Sequence, residues 1–442
     1  MKHISARCGL IVSVATLSVA NIAPVSRAES LQPPEVEDLA EDSDARPESG
    51  ALTLDGAIAA ALRYSPELAS DRAEAGAAAA RAVQADLWPN PNIDVMVENI
   101  GGEGDFEGFE SSETTLTIAQ PIEIGGKRAE RRNVAASGRV RLDRQMQAHQ
   151  LAVVAEVRKR FLRLLLGQER RELTAEIQGL SREALRAVEG RVKAGAAPPA
   201  ERGQVRILLS RSHMDMQLAE REIVAARRQL AAMWGGSEPS FTAVGEFDDV
   251  APPAPLSDLL SRLEQAPEMT GWDAEVERSA AAVRLERANR IPNVTLYAGA
   301  RHFNTSGDYA AVFDVSVPLP VFDRNQGGIA EAEYLLEKAR AEREAARRSA
   351  RTELLSAYDE LQSQFERISH LGVHVLAEAK TASTETVESY RRGSANAIDV
   401  LAAQRVLLEV RDEYFQALAK YQAALVDVER LTSVTTDTAV VR

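Results

Sequence analysis

The chain has 442 residues, of which 45% are hydrophobic but only 5% aromatic, and Cys8 is its single cysteine. One cysteine excludes a framework of disulfide bonds. The 52 basic and 66 acidic residues give a formal net charge of −14, which argues against a nucleic-acid-binding protein that must neutralise many phosphates. Beyond the N-terminal segment no run of about 20 apolar residues occurs, so the sequence predicts no transmembrane helix; if the chain crosses a bilayer, it does so with strands.

The first 28 residues have the features of a secretory signal peptide. Lys2 and Arg7 precede an apolar stretch, and small residues flank a cleavage position after Ala28. Residues 29–50 carry eight acidic residues and three prolines, a composition typical of a disordered leader. We therefore expect the mature fold to occupy residues 51–442.

The mature chain contains an internal duplication. Ser-Pro-Glu-Leu at 65–68 recurs as Ala-Pro-Glu-Met at 266–269, an offset of 201 residues. The same offset relates a Pro-Asn pair in each half. The two repeats span about 51–250 and 251–435, and each has a helical segment, two short alternating segments and a very long helical segment.

Two stretches of the chain lack proline and are predicted to be helical except at turns of their own. They run from 122 to 197 and from 321 to the C-terminus. Within the first, apolar residues between Leu142 and Leu165 recur at spacings near three, four and seven, as in a coiled coil. A helix of about 60 residues would be about 90 Å long, which is more than a compact domain needs.

Four shorter segments alternate apolar and polar residues, as β-strands with two different faces do. They cover 92–100, 114–120, 294–301 and 309–317, two in each repeat. Their lengths of seven to nine residues are close to the roughly 9 to 11 residues of a tilted transmembrane strand with one face toward lipid and the other toward water. A half-buried sheet of a soluble protein would explain the same alternation.

The surroundings of these strands favour the membrane interpretation. Trp88 and Phe322 lie at their helix-proximal ends, whereas Phe303 and Tyr309 lie near their loop ends, so the sequence predicts two aromatic girdles. Four strands cannot close a barrel, and a bilayer tolerates no open sheet edge. The membrane interpretation therefore requires an oligomer, and three chains would supply twelve strands.

With these features the chain resembles the TolC family of outer-membrane efflux channels over about 51–435. The resemblance rests on the duplicated plan of strand pairs and helix pairs and on the helix at 54–66. It also rests on Tyr-Arg-Arg-Gly at 390–393, followed by Ile-Asp-Val-Leu at 398–401 and Gln404. Within the family, Gln-Pro-Ile-Glu-Ile-Gly-Gly-Lys-Arg at 120–128 is most similar to the subgroup that serves cobalt, zinc and cadmium efflux pumps.

The resemblance implies a mainly α-helical protomer that contributes strands to a transmembrane β-barrel. Three duplicated protomers would form a twelve-stranded barrel in outer-membrane lipid, continuous with an α-helical tunnel across the periplasm. The resemblance further implies that this homotrimer docks on a periplasmic adaptor, or membrane fusion protein, and through it on an inner-membrane pump of the resistance-nodulation-division class.

In the family, the turns between the long helices form the periplasmic tip, where the tunnel narrows and the adaptor binds. Two turns match by position, and a glycine in each suits a helix reversal. The adaptor-contact candidates are therefore Ala194, Gly195 and Ala196 in the first turn and Arg392, Gly393 and Ser394 in the second.

The resemblance also implies an acidic constriction at this tip. Asp399 matches a family position whose carboxylates ring the closed tip, and Glu201 is its counterpart in the first repeat. About six carboxylates near one axis would favour cations. The chain departs from the family archetype at Ala402, where the archetype has a second aspartate, and at Pro198-Pro199 beside the first turn.

Two histidines, His370 and His374, lie one helical turn apart. Positions i and i+4 share a helix face, and Glu366 and Glu378 extend the same stripe, so the pair is a candidate site for a borderline metal cation. A solvated or intersubunit polar face is the alternative. The helical zinc-hydrolase motif is absent, because Leu371 rather than glutamate follows the first histidine.

No nucleophile elbow, phosphate loop or cysteine pair occurs in the sequence, so we expect neither catalysis nor a cofactor. The expected function is passive conduction of a substrate, most of all divalent heavy-metal cations, through a water-filled channel. The driving energy would come from a partner pump. Two alternatives stay open. The same channel could export drugs or secreted polypeptide, or the chain could be a soluble periplasmic coiled-coil scaffold with ordinary hairpins.

Overall fold

A computed structural model describes residues 46–237, 239–245, 250–392 and 394–433. The expected signal peptide and most of the expected acidic leader lie outside these described residues. None of the described helices is long and apolar enough to cross a membrane.

The described chain is mainly helical, with a small set of strands. The helices are α1 (Leu54–Tyr64), α2 (Pro66–Ala85), α3 (Lys127–Lys193), α4 (Pro199–Ala231), α5 (Leu256–Leu263), α6 (Pro267–Asn289), α7 (Gln326–His370), α8 (Leu376–Arg391) and α9 (Ala397–Thr432). The strands are β1 (Ala51–Leu52), β2 (Asn92–Glu98), β3 (Glu113–Ile122), β4 (Thr242–Ala243), β5 (Val294–Phe303) and β6 (Tyr309–Ser316).

The repeated Pro-Glu motif starts a helix in each half of the chain. Pro66 is the first residue of α2, and the Ser65 hydroxyl accepts a hydrogen bond from the Leu68 N–H at 3.4 Å. Pro267 likewise begins α6. Proline suits this first position because the N–H it lacks would have no partner within the helix.

Strands β2, β3, β5 and β6 form one antiparallel sheet in the order β2-β3-β5-β6. The four alternating segments are therefore strands, as predicted. The pairing of β3 with β5 joins the two repeats, and it brings Thr117 opposite Gly299. A Cβ at position 299 would lie 2.0 Å from the Leu116 carbonyl oxygen, so this close pairing requires glycine. Within the described chain, β2 and β6 each have a single neighbour in this sheet.

The two faces of this sheet differ in polarity. The apolar face carries side chains that are between 46% and 80% exposed: Ile93, Val95, Val97, Leu116, Ile118, Leu296, Phe313 and Val315. By register, the opposite face carries Asp94, Thr115, Thr117, Tyr297, Arg301 and Asp314. An exposed apolar surface of this extent is unusual for a sheet in water.

The long helices pack side by side. Helix α3 has 67 residues, a length of about 100 Å at the usual rise per residue. It packs against both α4 and α9, and α9 packs against α7 and α8. This order leaves α4 and α8 at the margins of the helical layer. The main core lies where α1, α3, α7 and α9 meet, around the fully buried side chains of Phe161, Trp234 and Leu354.

A wider helical turn separates α7 from α8. Residues Leu371–Val375 form a π-helical turn, in which the Leu376 N–H donates to the carbonyl oxygen of Leu371, five residues earlier. The absence of proline predicted a helical segment from 321 to the C-terminus, apart from turns, and did not indicate a π-helical turn. Leu371 and Ala379 are both buried but lie eight residues apart, a spacing that drifts by about 80° around a regular α-helix. The wider turn between them returns both residues to the same side.

The described structure includes the end of the expected leader. The Ser240 N–H donates to the Glu48 carbonyl at 2.6 Å, and the Thr242 N–H donates to the Gly50 carbonyl at 2.8 Å. Arg46 donates to the carbonyl of Gly235 at 3.1 Å. Residues 46–50, which composition alone assigned to the leader, therefore lead directly into the parallel pairing of β1 with β4.

Candidate pore and helix-turn site

The first helix turn is stabilised by backbone hydrogen bonds around a left-handed glycine. Gly195 has φ +73°. The Ala196 N–H donates to the Arg191 carbonyl at 2.8 Å, and the Gly195 N–H donates to the Val192 carbonyl at 3.1 Å. This is the Schellman arrangement, which satisfies the last carbonyl groups of a helix. Pro198 then caps α4.

The second helix turn combines a similar ending with a different start. The Ser394 N–H donates to the Ser389 carbonyl at 2.9 Å, whereas Gly393 lies outside the described residues. At the start of α9, Asn396 Oδ1 accepts the N–H groups of Ile398 and Asp399 at 2.8 and 2.9 Å. Asp399 Oδ2 in return accepts the N–H of Asn396 at 3.0 Å, which completes a capping box.

The two turns lie together at the same end of the helical layer. Val188 of α3, Val205 of α4, and Ala397 and Leu401 of α9 form one buried apolar cluster. The structure therefore brings together the candidate residues of both repeats, which are about 200 positions apart in the sequence.

Glu201 and Asp399 occupy equivalent positions in different environments. Each is the third residue of its helix, α4 or α9. Pro198 has no N–H to offer Glu201, and the Glu201 carboxylate instead lies 3.7 Å from the Arg191 guanidinium. Glu201 is buried, at 8% exposure, whereas Asp399 is exposed.

A groove of about 500 Å³ follows the helices above this cluster. It lies between α4 and α9, with α3 beneath, and charged side chains from all three helices line it. Arg170 of α3 bridges the other two, because its guanidinium is 3.0 Å from Asp412 of α9 and 3.5 Å from Glu222 of α4. The neighbouring Glu169 has a pKa above its ordinary value, because it is partly buried and Glu172 is close.

One arginine organises the loop end of the polar strand face. Arg301 donates to Glu113 and to the Thr115 hydroxyl, each at 2.9 Å, and lies 3.3 Å from Glu98. This cluster was not predictable from the sequence, because its members come from three strands and meet only through their register. A single arginine in an alternating strand was the only signal in the sequence.

The motif at 120–128 forms the junction between the sheet and α3. Arg131 makes a two-pronged ion pair with Glu123, with Nη2 2.8 Å from Oε2. The hydrogen bond from Arg131 holds the pKa of Glu123 below its ordinary value. Lys127 Nζ donates to Asn293 at 2.5 Å, and its burial lowers its pKa. The junction thus connects the first repeat to the second.

The histidine pair lies at the π turn. The ring centres of His370 and His374 are 5.5 Å apart, and both residues are exposed. Among the described residues, no group of three or more histidine, cysteine, aspartate or glutamate side chains is arranged to hold a metal ion.

Known proteins with this arrangement identify the family. The sequence model of the family described as Outer membrane efflux protein matches residues 57–236 and 260–433. The chain belongs to this family. Each of the two matched segments contains a strand pair followed by long helices.

Individual relatives of this efflux protein are similar over most of their length. The chain is 30% identical over 387 residues to the cobalt-zinc-cadmium resistance protein CzcC of Cupriavidus metallidurans, covering 87% of this chain and 91% of CzcC. It is 29% identical over 307 residues to the nickel and cobalt resistance protein CnrC of the same organism, covering 67% of this chain and 72% of CnrC. The crystal structure of the outer membrane protein VceC of Vibrio cholerae matches with a TM-score of 0.70 at 18% identity, covering 86% of this chain and 95% of VceC.

These similarities confirm the TolC-type resemblance, including its heavy-metal subgroup. The protein is an outer-membrane efflux component, and its mainly helical fold with a four-stranded antiparallel sheet is that of such channels. For an efflux channel, the polar strand face and the interior of the helical layer are the candidate pore surfaces. The acidic side chains on that strand face, Asp94, Glu98, Glu113 and Asp314, outnumber Arg301, its one basic side chain, among the described residues.

Proposed function

We propose that three copies of this chain form an outer-membrane channel that passively conducts divalent heavy-metal cations out of the cell. The observation that carries the proposal is the sheet β2-β3-β5-β6, which has an apolar exposed face and two edges with no further strand partner among the described residues. An open edge in lipid leaves backbone groups without hydrogen bonds. Pairing β6 of one copy with β2 of the next would give the backbone groups of both edge strands their hydrogen-bond partners.

The helical layer supports the same assembly. Helices α4 and α8 lie at its margins, and α4 carries exposed apolar side chains at Ile207, Met214 and Leu218. Their spacing of seven and four residues is that of a coiled-coil seam. In a ring of three copies, the neighbouring copy would cover this seam. The helices of the three copies would then enclose a tunnel that continues from the barrel.

Two lines of support point to metal cations as the cargo. CzcC is named for cobalt, zinc and cadmium resistance and CnrC for nickel and cobalt resistance. The polar strand face of this chain also carries more acidic than basic side chains, including Asp94 and Asp314, so a pore lined by it would attract cations. No step in this passage requires catalysis, because the energy would come from the pump.

The tip of the helices is the proposed partner site. We assign adaptor contact to the turns at 194–196 and 392–394, and pore constriction to Asp399 and Glu201. Exposure of Asp399 and the small side chains around Gly195 support this assignment. Glu201 is buried beside Arg191, which offsets its charge, so the exposed Asp399 carboxylate would contribute more of the negative charge at the constriction. The adaptor would connect this tip to an inner-membrane pump of the resistance-nodulation-division class.

The test combines a deletion with a mass measurement. A strain that lacks this chain but retains its pump and adaptor should accumulate zinc, cobalt or cadmium and lose tolerance to them, while expression of the chain restores both. Loss of drug tolerance or polypeptide secretion instead would favour the alternative cargo. The purified protein in detergent should have the mass of three chains, and a stable monomer would contradict the channel assembly.

A further inference from the structure

The π turn places two imidazole rings beside each other on an exposed helix surface. His370 is the last residue of α7, and His374 lies within the turn Leu371–Val375. Residues of this turn pack inward as well as outward, since Leu371 is buried and Val373 is 67% exposed. The turn is therefore anchored on one side and presents the two histidines on the other.

Packing against α9 supports the shape of this turn. A Cβ at Gly372 would come within 3.2 Å of the Tyr414 ring, so the absence of a side chain there lets the ring of α9 lie against the turn. Single π turns within long helices occur frequently at functional sites.

The separation of the two rings is suitable for one shared cation. A histidine nitrogen lies about 2.0–2.1 Å from a bound Zn²⁺, and two such ligands at a tetrahedral angle place their ring centres about 5 Å apart. The observed separation of the ring centres is 5.5 Å, with the ring planes tilted by 51°.

The ligand chemistry selects the class of cation. Imidazole nitrogen suits Zn²⁺, Co²⁺ and Ni²⁺, whereas Mg²⁺ and Ca²⁺ prefer oxygen. No third ligating side chain joins the pair in a ready-made cluster among the described residues, so water would complete the coordination. Two protein ligands hold an ion weakly, and a conduction path requires sites that ions can leave.

We propose that His370 and His374 form a surface site for a borderline divalent cation of the Zn²⁺, Co²⁺ and Ni²⁺ class. The site would be a stopping point for the cargo, an interpretation that rests on the proposed function, whereas the binding itself does not.

Binding can be measured directly on the full-length protein in detergent. We would titrate Co²⁺ and follow its visible absorption, and titrate Zn²⁺ by calorimetry. The variant with His370→Ala and His374→Ala should lose one Co²⁺ equivalent per chain, and each single variant should bind more weakly. His149→Ala with His213→Ala is the matched control and should bind as the wild type does. Far-ultraviolet circular dichroism and the oligomer mass should be unchanged in all variants.

Two results would overturn the site: equal Co²⁺ binding by the wild type and the double variant, or no binding by either. The outcome is separable from that of the proposed function. Loss of binding in the double variant supports the site even where deleting the whole chain leaves metal tolerance unchanged. Equal binding rejects the site even where the deletion abolishes tolerance.

Discussion

Asn396 and Asp399 cap each other at the start of α9. The Asn396 side chain accepts the Asp399 N–H at 2.9 Å, and the Asp399 carboxylate accepts the Asn396 N–H at 3.0 Å. The Asp399 carboxylate, which is proposed to line the pore, therefore also has a structural role as part of the helix cap. Its negative charge also lies at the positive end of the α9 dipole. A test of the pore assignment must separate these two roles.

Two substitutions separate the roles of Asp399. Asp399→Asn removes the charge, and we expect a smaller preference for cations over anions, read from the reversal potential of the channel in a planar bilayer with a salt gradient. Asn396→Ala removes the cap but keeps the charge. It should cost about 1 kcal/mol of stability and leave the reversal potential unchanged. Equal reversal potentials for both variants and the wild type would contradict a pore-lining Asp399.

Gly195 and Gly190 provide a matched pair near the first turn. Gly195 has φ +73°, and a Cβ on either glycine would meet open space. Gly195→Ala should therefore destabilise the turn by about 1–2 kcal/mol through backbone conformation alone. Gly190 lies inside α3, so Gly190→Ala should stabilise the helix by about 1 kcal/mol. Thermal unfolding in detergent should show melting temperatures that shift in opposite directions, and a shared direction would contradict the left-handed turn.

The elements of this fold were predictable because their signals are local. Alternation over 294–301 and 309–317 gave the strands, and the absence of proline gave the long helices. Which strands pair was not predictable from alternation, and neither was the Arg301 cluster that depends on the pairing of β3 with β5. The π turn at Leu371–Val375 was not predictable either, because it depends on which neighbouring positions are buried by packing between helices.

The candidate residues were predictable from the sequence, but their surroundings were not. The family resemblance matched Glu201 and Asp399 to each other across the two repeats, and the structure shows that each is the third residue of its helix. The difference between them depends on two facts about neighbours: Pro198 lacks the N–H that Asn396 supplies, and Arg191 lies within 3.7 Å of Glu201. The first fact is visible in the sequence once the helix start is known. The second requires the structure.

Phe313 and Val312 test which strand face meets lipid. The two residues are adjacent in β6 but lie on opposite faces of the sheet, and Phe313 is 80% exposed. An arginine on the lipid face of a transmembrane strand costs roughly 2–4 kcal/mol at the bilayer midplane. Phe313→Arg should therefore reduce the amount of protein recovered in the outer membrane, whereas Val312→Arg should leave it near the wild-type amount. Equal recovery of both variants would argue against the assigned faces.

Glu123 and Glu169 should give opposite dependences of stability on pH. The hydrogen bond from Arg131 lowers the pKa of Glu123, whereas burial raises the pKa of Glu169. A carboxyl with a lowered pKa stabilises the fold above its ordinary value of 4.5, and this stabilisation is lost as the pH falls through the folded-state pKa. A carboxyl with a raised pKa costs stability as the pH rises from the ordinary value through the folded-state pKa.

The glutamine variants make this difference measurable. At neutral pH, Glu123→Gln should unfold at a lower temperature than the wild type, because Arg131 loses its charged partner at the junction of sheet and helix. Glu169→Gln should unfold at a higher temperature, because the wild type must ionise a partly buried carboxyl near Glu172. Both differences should shrink as the pH approaches the range in which the two carboxyls are protonated. A difference for Glu123→Gln that stays constant into that range would show that packing, rather than the ion pair with Arg131, stabilises the junction.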